Sequence, residues 1–430
     1  MSFLPQSKFL PRVPSRLPDP LNETSRLRCE EIITSLASQD ISVAQTRHIN
    51  EELGVDLASL VLSSAMLQSK AIAKLGEGRW WITDKSLQQA TPWQVARLKA
   101  SWFGAGDVYD LCCGIGGDAV HLAKDHSVVA VDASDAVCLM VKENLRNHVG
   151  GGAVVINGDV LEQSIPGESL IHVDPDRRAD DRRSVDPNQY SPAWNDVAKL
   201  VGRVRGGAVK LAPAAEAMPV QRDDVHRVWI SLAGTVREQC LLFGETVAVF
   251  RSRAMATDSL SDVSAVVVRR DGASSVFCPK LPLRNVDPIV SVKEPVDWMV
   301  DPDAAIRSAG LTEAFAAEFG LSALGGPEGF LTGQAKCDGV GVDDANAIER
   351  FAICERVVWQ GSCDDRKLRK ELRARDLYPK RIKTRGVSFD PNQMEKKLRQ
   401  SGDQPCSLWL GRNGKRHYAA MTVGASCKPK

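Results

Sequence analysis

Apolar residues recur at helical spacing through the first hundred positions, and then the texture changes. "ASLVLSSAMLQSKAIAKL" (58–75) sets leucine, isoleucine and small residues three and four apart, which predicts a buried helix. Residues 21–104 as a whole read as a helical N-terminal domain, with Thr91 as an N-cap and Pro92 at the first position of a helix. From residue 107, short β-branched runs take over: "VYDL" (108–111), "SVVAVD" (127–132), "AVVING" (153–158), "LIHVD" (170–174) and "GGAVKLA" (206–212). Each ends in turn or capping residues, as do parallel strands covered by helices on both faces. An α/β fold with a Rossmann-like, doubly wound sheet is expected over 105–284. "RVWISLAG" (227–234) and "ETVAVFRSR" (245–253), on either side of "TVREQCLLFG", predict further strands, at least one of them antiparallel.

The remaining segments divide by composition. Residues 1–20 hold five prolines and no continuous apolar stretch, so they read as an extended leader and not as a secretory signal. Residues 285–363, opening with the proline- and aspartate-rich run to Gly310, read as a connector that leads into a short helix. In 364–430, "DRKLRKELRARDL" puts Leu368 and Leu372 on one face of a cationic helix, and "RIKTRGV" predicts a strand. Asp390 and Pro391 then start a helix running to Gly402, and a hairpin turns at Asn413-Gly414. The result is a small αβαββ module.

Composition excludes some classes. No apolar run approaches the roughly 18 residues that span a bilayer. Eleven cysteines without C-x-x-C pairs suit reduced thiols in a cytoplasmic setting, with neither disulfide nor metal expected. The overall net charge of +1 hides an asymmetry: residues 364–430 carry 18 Lys and Arg against 7 Asp and Glu, and residues 1–363 carry 37 against 47. A basic tail on an acidic body is expected to meet a polyanion.

The chemistry concentrates at "DLCCGIGGDAVHLA" (110–123). Asp110 closes a strand, Gly114, Gly116 and Gly117 form a turn, and a helix is expected from Asp118. Glycines let the backbone approach a ligand, and helix-start N–H groups face it. The loop departs from a dinucleotide fingerprint, because Ala119 stands where a third glycine belongs and an acid precedes the turn. Asp110 suits an ammonium group better than a pyrophosphate. Asp132, at the end of the next strand, suits two ribose hydroxyls, with Ala133 beside it. Asp159, with Val160, suits an adenine amine. These features describe S-adenosylmethionine, held by Asp110, the backbone at Cys112, Gly114, Gly116, Gly117, Asp132, Ala133, Asp159 and Val160. Cys112 and Cys113 themselves are expected to pack as small apolar residues. Four successive strand ends in aspartate (Asp110, Asp132, Asp159, Asp174) border one crevice in such a sheet.

On these residues the chain resembles the class I S-adenosylmethionine-dependent methyltransferases over about residues 105–255. The match rests on "DLCCGIGGD", Asp132, "NGDV" and "VDPDRR". More narrowly it is similar to bacterial methyltransferase-like proteins that end in a THUMP-like domain. The shared stretches are "LQQATPWQVARLKA", "VKLAP", "WISLAGTVREQCL", "DPDAAIRSAG" and the closing "RIKTRGVSFDP" with its hairpin. The resemblance implies a Rossmann-like catalytic domain, a small α+β THUMP-like C-terminal domain and RNA as partner.

Asp174, Pro175, Asp176 and Arg177 are expected to line the acceptor site. Asp174 would orient an amine or take its proton, and Pro175 would offer a carbonyl. Enzymes that methylate exocyclic amines carry a second proline and an aromatic where this chain has Asp176 and Arg177. No cysteine near "GGAVKLAPAAE" supports a covalent mechanism. Arg366, Lys367, Arg369, Lys370, Arg373, Lys380, Arg381, Lys383 and Arg385 are a candidate phosphate footprint, with Trp409 and Tyr418 on the hairpin. Lys210 is read as holding a phosphate or reaching toward solvent, and Trp80-Trp81 as packing. The expected function is methyl transfer to a nucleobase in structured RNA. The alternatives are a protein or small-molecule methyltransferase, or a non-catalytic RNA-binding protein.

Overall fold

The helical spacing of the first hundred residues becomes α1 (Glu23–Ser35), α2 (Val43–Leu53), α3 (Val55–Leu75), α4 (Asp84–Gln89) and α5 (Trp93–Ala100). Reciprocal bonds between Ser42 and Gln45 start α2, and the same box between Thr83 and Ser86 starts α4. In a computed structural model of the chain, residues 21–179, 182–216, 220–254, 261–280, 282–326, 328–334 and 348–423 are described. The leader expected at 1–20 lies outside the described residues. No described helix is long and apolar enough to cross a membrane, and the nine described cysteines are free.

The described residues form two compact units, one holding those up to His226 with Glu238–Arg253, the other Arg227–Arg237 with those from Ala254 on. In the first, the N-terminal helices share a body with a sheet. Its strands are β1 (Asp107–Leu111), β2 (Ser127–Asp132), β3 (Val154–Asn157), β4 (Leu170–Val173) and β5 (Gly206–Leu211). β6 (Val225–Leu232) and β7 (Thr235–Gly244) follow. Within this unit the order is β3-β2-β1-β4-β5-β7, parallel throughout except that β7 runs antiparallel to β5. Between the strands lie α6 (Ala119–Leu122), α7 (Asp135–Val149) and α8 (Trp194–Val201). Leu111, Val131, Ile171, Val173 and Val209 meet Trp194, Val197 and Val201 of α8 in one core. Burying each such aliphatic side chain stabilises by about 1.5–3 kcal/mol.

Two local expectations are corrected. "ETVAVFRSR" is a helix, α9 (Glu245–Ala254), because Thr246, Val247 and Phe250 are the buried positions, at helical and not alternating spacing. Pro92, with extended backbone, is the N-cap of α5 in place of Thr91, whose hydroxyl is engaged elsewhere. The helix after the glycine loop, α6, starts where expected, with Asp118 as its N-cap, and is four residues long.

In the second unit, β6 from Arg227 pairs in parallel with β8 (Val263–Val268), which pairs antiparallel with β9 (Ser274–Phe277). The stretch expected as a connector is instead folded. It holds β10 (Trp298–Pro302), α10 (Ala304–Ser308), α11 (Thr312–Phe319), β11 (Ser322–Leu324), β12 (Phe330–Gly333) and β13 (Ala352–Gly361). Its prolines and aspartates are boundary residues: Pro302 ends β10, and Asp303 caps α10 by accepting from the Ala305 N–H at 2.8 Å. Trp298, Phe315 and Leu331 share one core cluster.

The last segment forms α12 (Asp365–Ala374), β14 (Leu377–Arg385), α13 (Pro391–Leu398), β15 (Gln404–Asn413) and β16 (Arg416–Val423), in the order expected. α13 starts at Asp390 but stops at Leu398, short of Gly402. These strands join the preceding ones in a seven-stranded sheet of order β11-β12-β10-β13-β16-β15-β14, with β14 and β15 parallel. The segment from 364 therefore shares a sheet with residues before it.

Candidate active site

A cleft of about 600 Å³ opens at the C-terminal ends of β1, β2, β4 and β5, within the first unit. The loop after β1 shapes it by alternating left-handed backbone: φ is +58° at Cys112, +54° at Gly114 and +82° at Gly116. A side chain at Gly114 would meet open space, so the loop presents bare backbone to the cleft there. At Gly116 a Cβ would lie 2.7 Å from Cγ2 of Val141, so this glycine serves the packing of α7 against the loop. Gly117 and the side chains of Cys112, Asp132, Ala133, Asp159 and Val160 are on the cleft wall.

Asp132 ties two elements together. Its carboxylate accepts from the N–H of Gly114 and of Ser134, both at 3.1 Å. Burial raises its pKa, and these backbone donors counter the shift. Asp159 accepts from the Leu161 N–H at 2.9 Å and is exposed. The thiols of Cys112 and Cys113 are pushed up by burial first and by neighbouring carboxylates next, so both stay protonated. Cys240, inside β7, is likewise held protonated by burial and Glu238.

Beneath the cleft lies an array of buried charges that the sequence reading did not assemble. Asp110 does not line the cleft: it is fully buried and accepts from Nδ1 of His172 on β4 at 2.7 Å. The ammonium of Lys99, 1% exposed on α5, touches Nε2 of His172 at 3.2 Å, Asp118 at 3.0 Å and Glu238 at 2.8 Å. An ammonium only donates, so in its contact with His172 Nε2 accepts, while Asp118 is held as an ion pair. In that arrangement the His172 proton lies on Nδ1, toward Asp110. Burial and the adjacent ammonium oppose a second proton on His172, but Asp118 and Asp110 outweigh them and raise its pKa, while burial raises that of Asp110. Lys210, at the end of β5, donates to Oδ2 of Asp174 at 2.6 Å and to the Thr91 hydroxyl at 3.1 Å, and lies 3.9 Å from Glu238. Thr91 in turn donates to Asp118 at 2.7 Å. Despite burial, the carboxylates hold both lysines charged, Lys99 through Asp118 and Glu238 and Lys210 through Asp174 and Glu238. Lys210 thus neither reaches solvent nor awaits a phosphate.

Asp174 is the most exposed member of the array, its side chain 26% exposed, and Asp118 and Lys210 also line the cleft. Pro175, Asp176 and Arg177 continue the wall. Asp176 exchanges backbone bonds with Ser191, and its carboxylate accepts from Gln89 at 3.4 Å. Lys85, Gln88 and Gln89, on or beside α4, complete that rim. The signals for the missed residues were present: Lys99 follows Val95 and Ala96 on the buried face of α5, and His172 and Glu238 sit among buried apolar strand residues.

The basic tail is placed differently from expectation. Arg366, Lys367, Arg369, Lys370 and Arg373 are exposed on α12, as is Lys380 on β14. Lys383 and Arg385, however, are bound to the buried carboxylate of Asp301 at 2.7 and 3.1 Å, alongside Arg307 at 3.0 Å. Arg381 pairs with Glu355 at 3.3 Å. Trp409 and Tyr418 are core residues, Trp409 donating to Glu355 and Thr422. Trp80 and Trp81 are buried, as expected.

A cationic methyl donor fits this cleft. Among the array, four carboxylates (Asp110, Asp118, Asp174, Glu238) face two ammoniums and the imidazole of His172. Oδ2 of Asp110 has no hydrogen-bond partner among the described residues. No protein-family model matches the chain. Over 387 residues it is 28% identical to two uncharacterized S-adenosylmethionine-dependent methyltransferases of Mycobacterium tuberculosis, one from strain CDC 1551 / Oshkosh and one from strain ATCC 25618 / H37Rv. Each match covers 87% of this chain and 98% of the relative. A candidate methyltransferase from Porphyromonas gingivalis W83 superposes with a TM-score of 0.69 at 15% identity, over 94% of this chain and all of the other, and so shares the fold. With relatives matched along nearly their whole length and a cleft of the right charge at the strand ends, the chain is an S-adenosylmethionine-dependent methyltransferase.

Proposed function

We propose that the protein transfers a methyl group to a nucleobase in structured RNA, at an exocyclic amine, without a covalent enzyme intermediate, in the cytoplasm. The observation that carries this reading is the cationic face of α12, where Arg366, Lys367, Arg369, Lys370 and Arg373 stand exposed in ten residues. The last segment is read as a THUMP-like element that grips the phosphate backbone, with Lys380 beside α12. In the cleft, Asp132, Asp159, Val160, Ala133 and the Gly114 backbone would hold S-adenosylmethionine, which supplies a methyl group on a positively charged sulfur.

The protein's own part is orientation. Oδ2 of Asp174 is committed to Lys210, which leaves Oδ1 to accept from an N–H of the acceptor. Asp174 thus aligns the amine, and the nitrogen, cationic once methylated, releases its proton to solvent. Pro175 offers its carbonyl to the same amine, and Arg177 is the planar group for a base to lie against. The protonated, buried Cys240 agrees with a non-covalent path.

One observation favours a protein or small-molecule acceptor instead: among the described residues, no aromatic side chain lines the cleft. RNA binding measured against salt separates the two. Phosphate contacts predict a steep linear fall of log K with log salt, and a flat dependence contradicts the RNA reading.

A further inference from the structure

The geometry points to Lys210 and Asp174 as the residues that set how strongly the cleft prefers the charged cofactor over its demethylated product. S-adenosylmethionine carries a sulfonium cation and the product, S-adenosylhomocysteine, a neutral thioether. The two ligands otherwise share their recognition groups. Whatever separates their affinities must therefore act on that one charge.

The buried array is built to act on it. Four carboxylates, Asp110, Asp118, Glu238 and Asp174, stand against two ammoniums, Lys99 and Lys210, and the imidazole of His172, so negative charge is in excess by at least one wherever the proton of the Asp110–His172 pair lies. Asp110, Asp118, Glu238, Lys99 and Lys210 are all buried, so their field is weakly screened by solvent. Asp174 connects the array to the cleft, and Lys210, its side chain 6% exposed, sits between Asp174 and Glu238. Lys210 thus meters the excess: it neutralises part of the carboxylate charge under the cleft and leaves the rest for a cation above. Too little compensation would make the charged cofactor bind too firmly to pass its methyl on, and too much would let the neutral product compete.

This inference rests on the cofactor assignment and not on the identity of the acceptor. The test is calorimetric titration of the full-length protein with S-adenosylmethionine and, separately, S-adenosylhomocysteine. Lys210→Met is expected to raise the ratio of the two affinities in favour of the sulfonium by roughly tenfold, the order of effect of one unit charge in a partly screened site. Asp174→Asn is expected to lower the ratio by a similar factor, and Lys210→Arg to leave it within about twofold of the parent. If Lys210→Met does not fold, Asp174→Asn carries the test alone, because its side chain borders the cleft. A purely structural role would weaken both ligands in parallel. An unchanged ratio in both Lys210→Met and Asp174→Asn overturns the inference, whereas failure of the parent protein to bind either ligand overturns the cofactor assignment itself.

Discussion

Gly114 and Gly116 lie two positions apart in one loop and answer to different constraints. Gly114 needs only its left-handed backbone, since a side chain there would enter open space, whereas Gly116 also lies against Val141. Gly114→Ala is expected to cost about 1 kcal/mol and Gly116→Ala about 3 kcal/mol in urea unfolding, the difference being the overpacked contact. Asp132 predicts a sharper effect on function. Asp132→Ala removes both the carboxylate and the acceptor that pins Gly114 and Ser134, so affinity for S-adenosylmethionine should fall by about two orders of magnitude in calorimetry. Unaltered affinity would remove Asp132 from the site. These residues were legible because aspartates at strand ends and glycines in a turn are local features. Asp110 was legible as an acid on a strand, but its partner was not, because the pairing with His172 spans 62 positions and depends on β1 lying beside β4.

Among the elements, the parallel strands were legible from their apolar runs and α9 was not, since "ETVAVF" is rich in β-branched residues whose burial nonetheless follows a helical period. The folded stretch from β10 to β13 was missed for a related reason: proline and aspartate mark element boundaries as well as linkers, and the difference lies in tertiary packing. Asp301, on β10, illustrates what that packing achieves. It is mostly buried, which favours its neutral form, but Lys383, Arg307 and Arg385 outweigh burial and depress its pKa below the ordinary 3.8. A depressed carboxylate contributes stability that is fully present above the ordinary value and is lost as pH falls through the folded one. Asp301→Asn should therefore be less stable than the parent at neutral pH, and the difference should shrink in thermal unfolding as pH falls below the ordinary carboxylate range. A constant difference across that range would mean that Asp301 acts through hydrogen bonding alone.

For the whole molecule, the charge asymmetry along the chain was legible and its use was only half so. The cations of α12 stay exposed, while Arg381, Lys383 and Arg385 are drawn into ion pairs with Glu355 and Asp301. Replacing Arg366, Lys367, Arg369, Lys370 and Arg373 together by Ala should reduce the slope of log K against log salt for RNA by about 3–4, with Leu368 and Leu372 left to hold the helix. The same slope in the variant and the parent would place RNA elsewhere or nowhere. The central claim is that this cleft moves a methyl group from S-adenosylmethionine to a base in RNA. The direct measurement is incubation of the protein with methyl-labelled S-adenosylmethionine and total RNA, followed by digestion to nucleosides and chromatography. The account predicts label in a base-methylated nucleoside and none with Asp132→Ala, and label confined to protein or small-molecule fractions would contradict it.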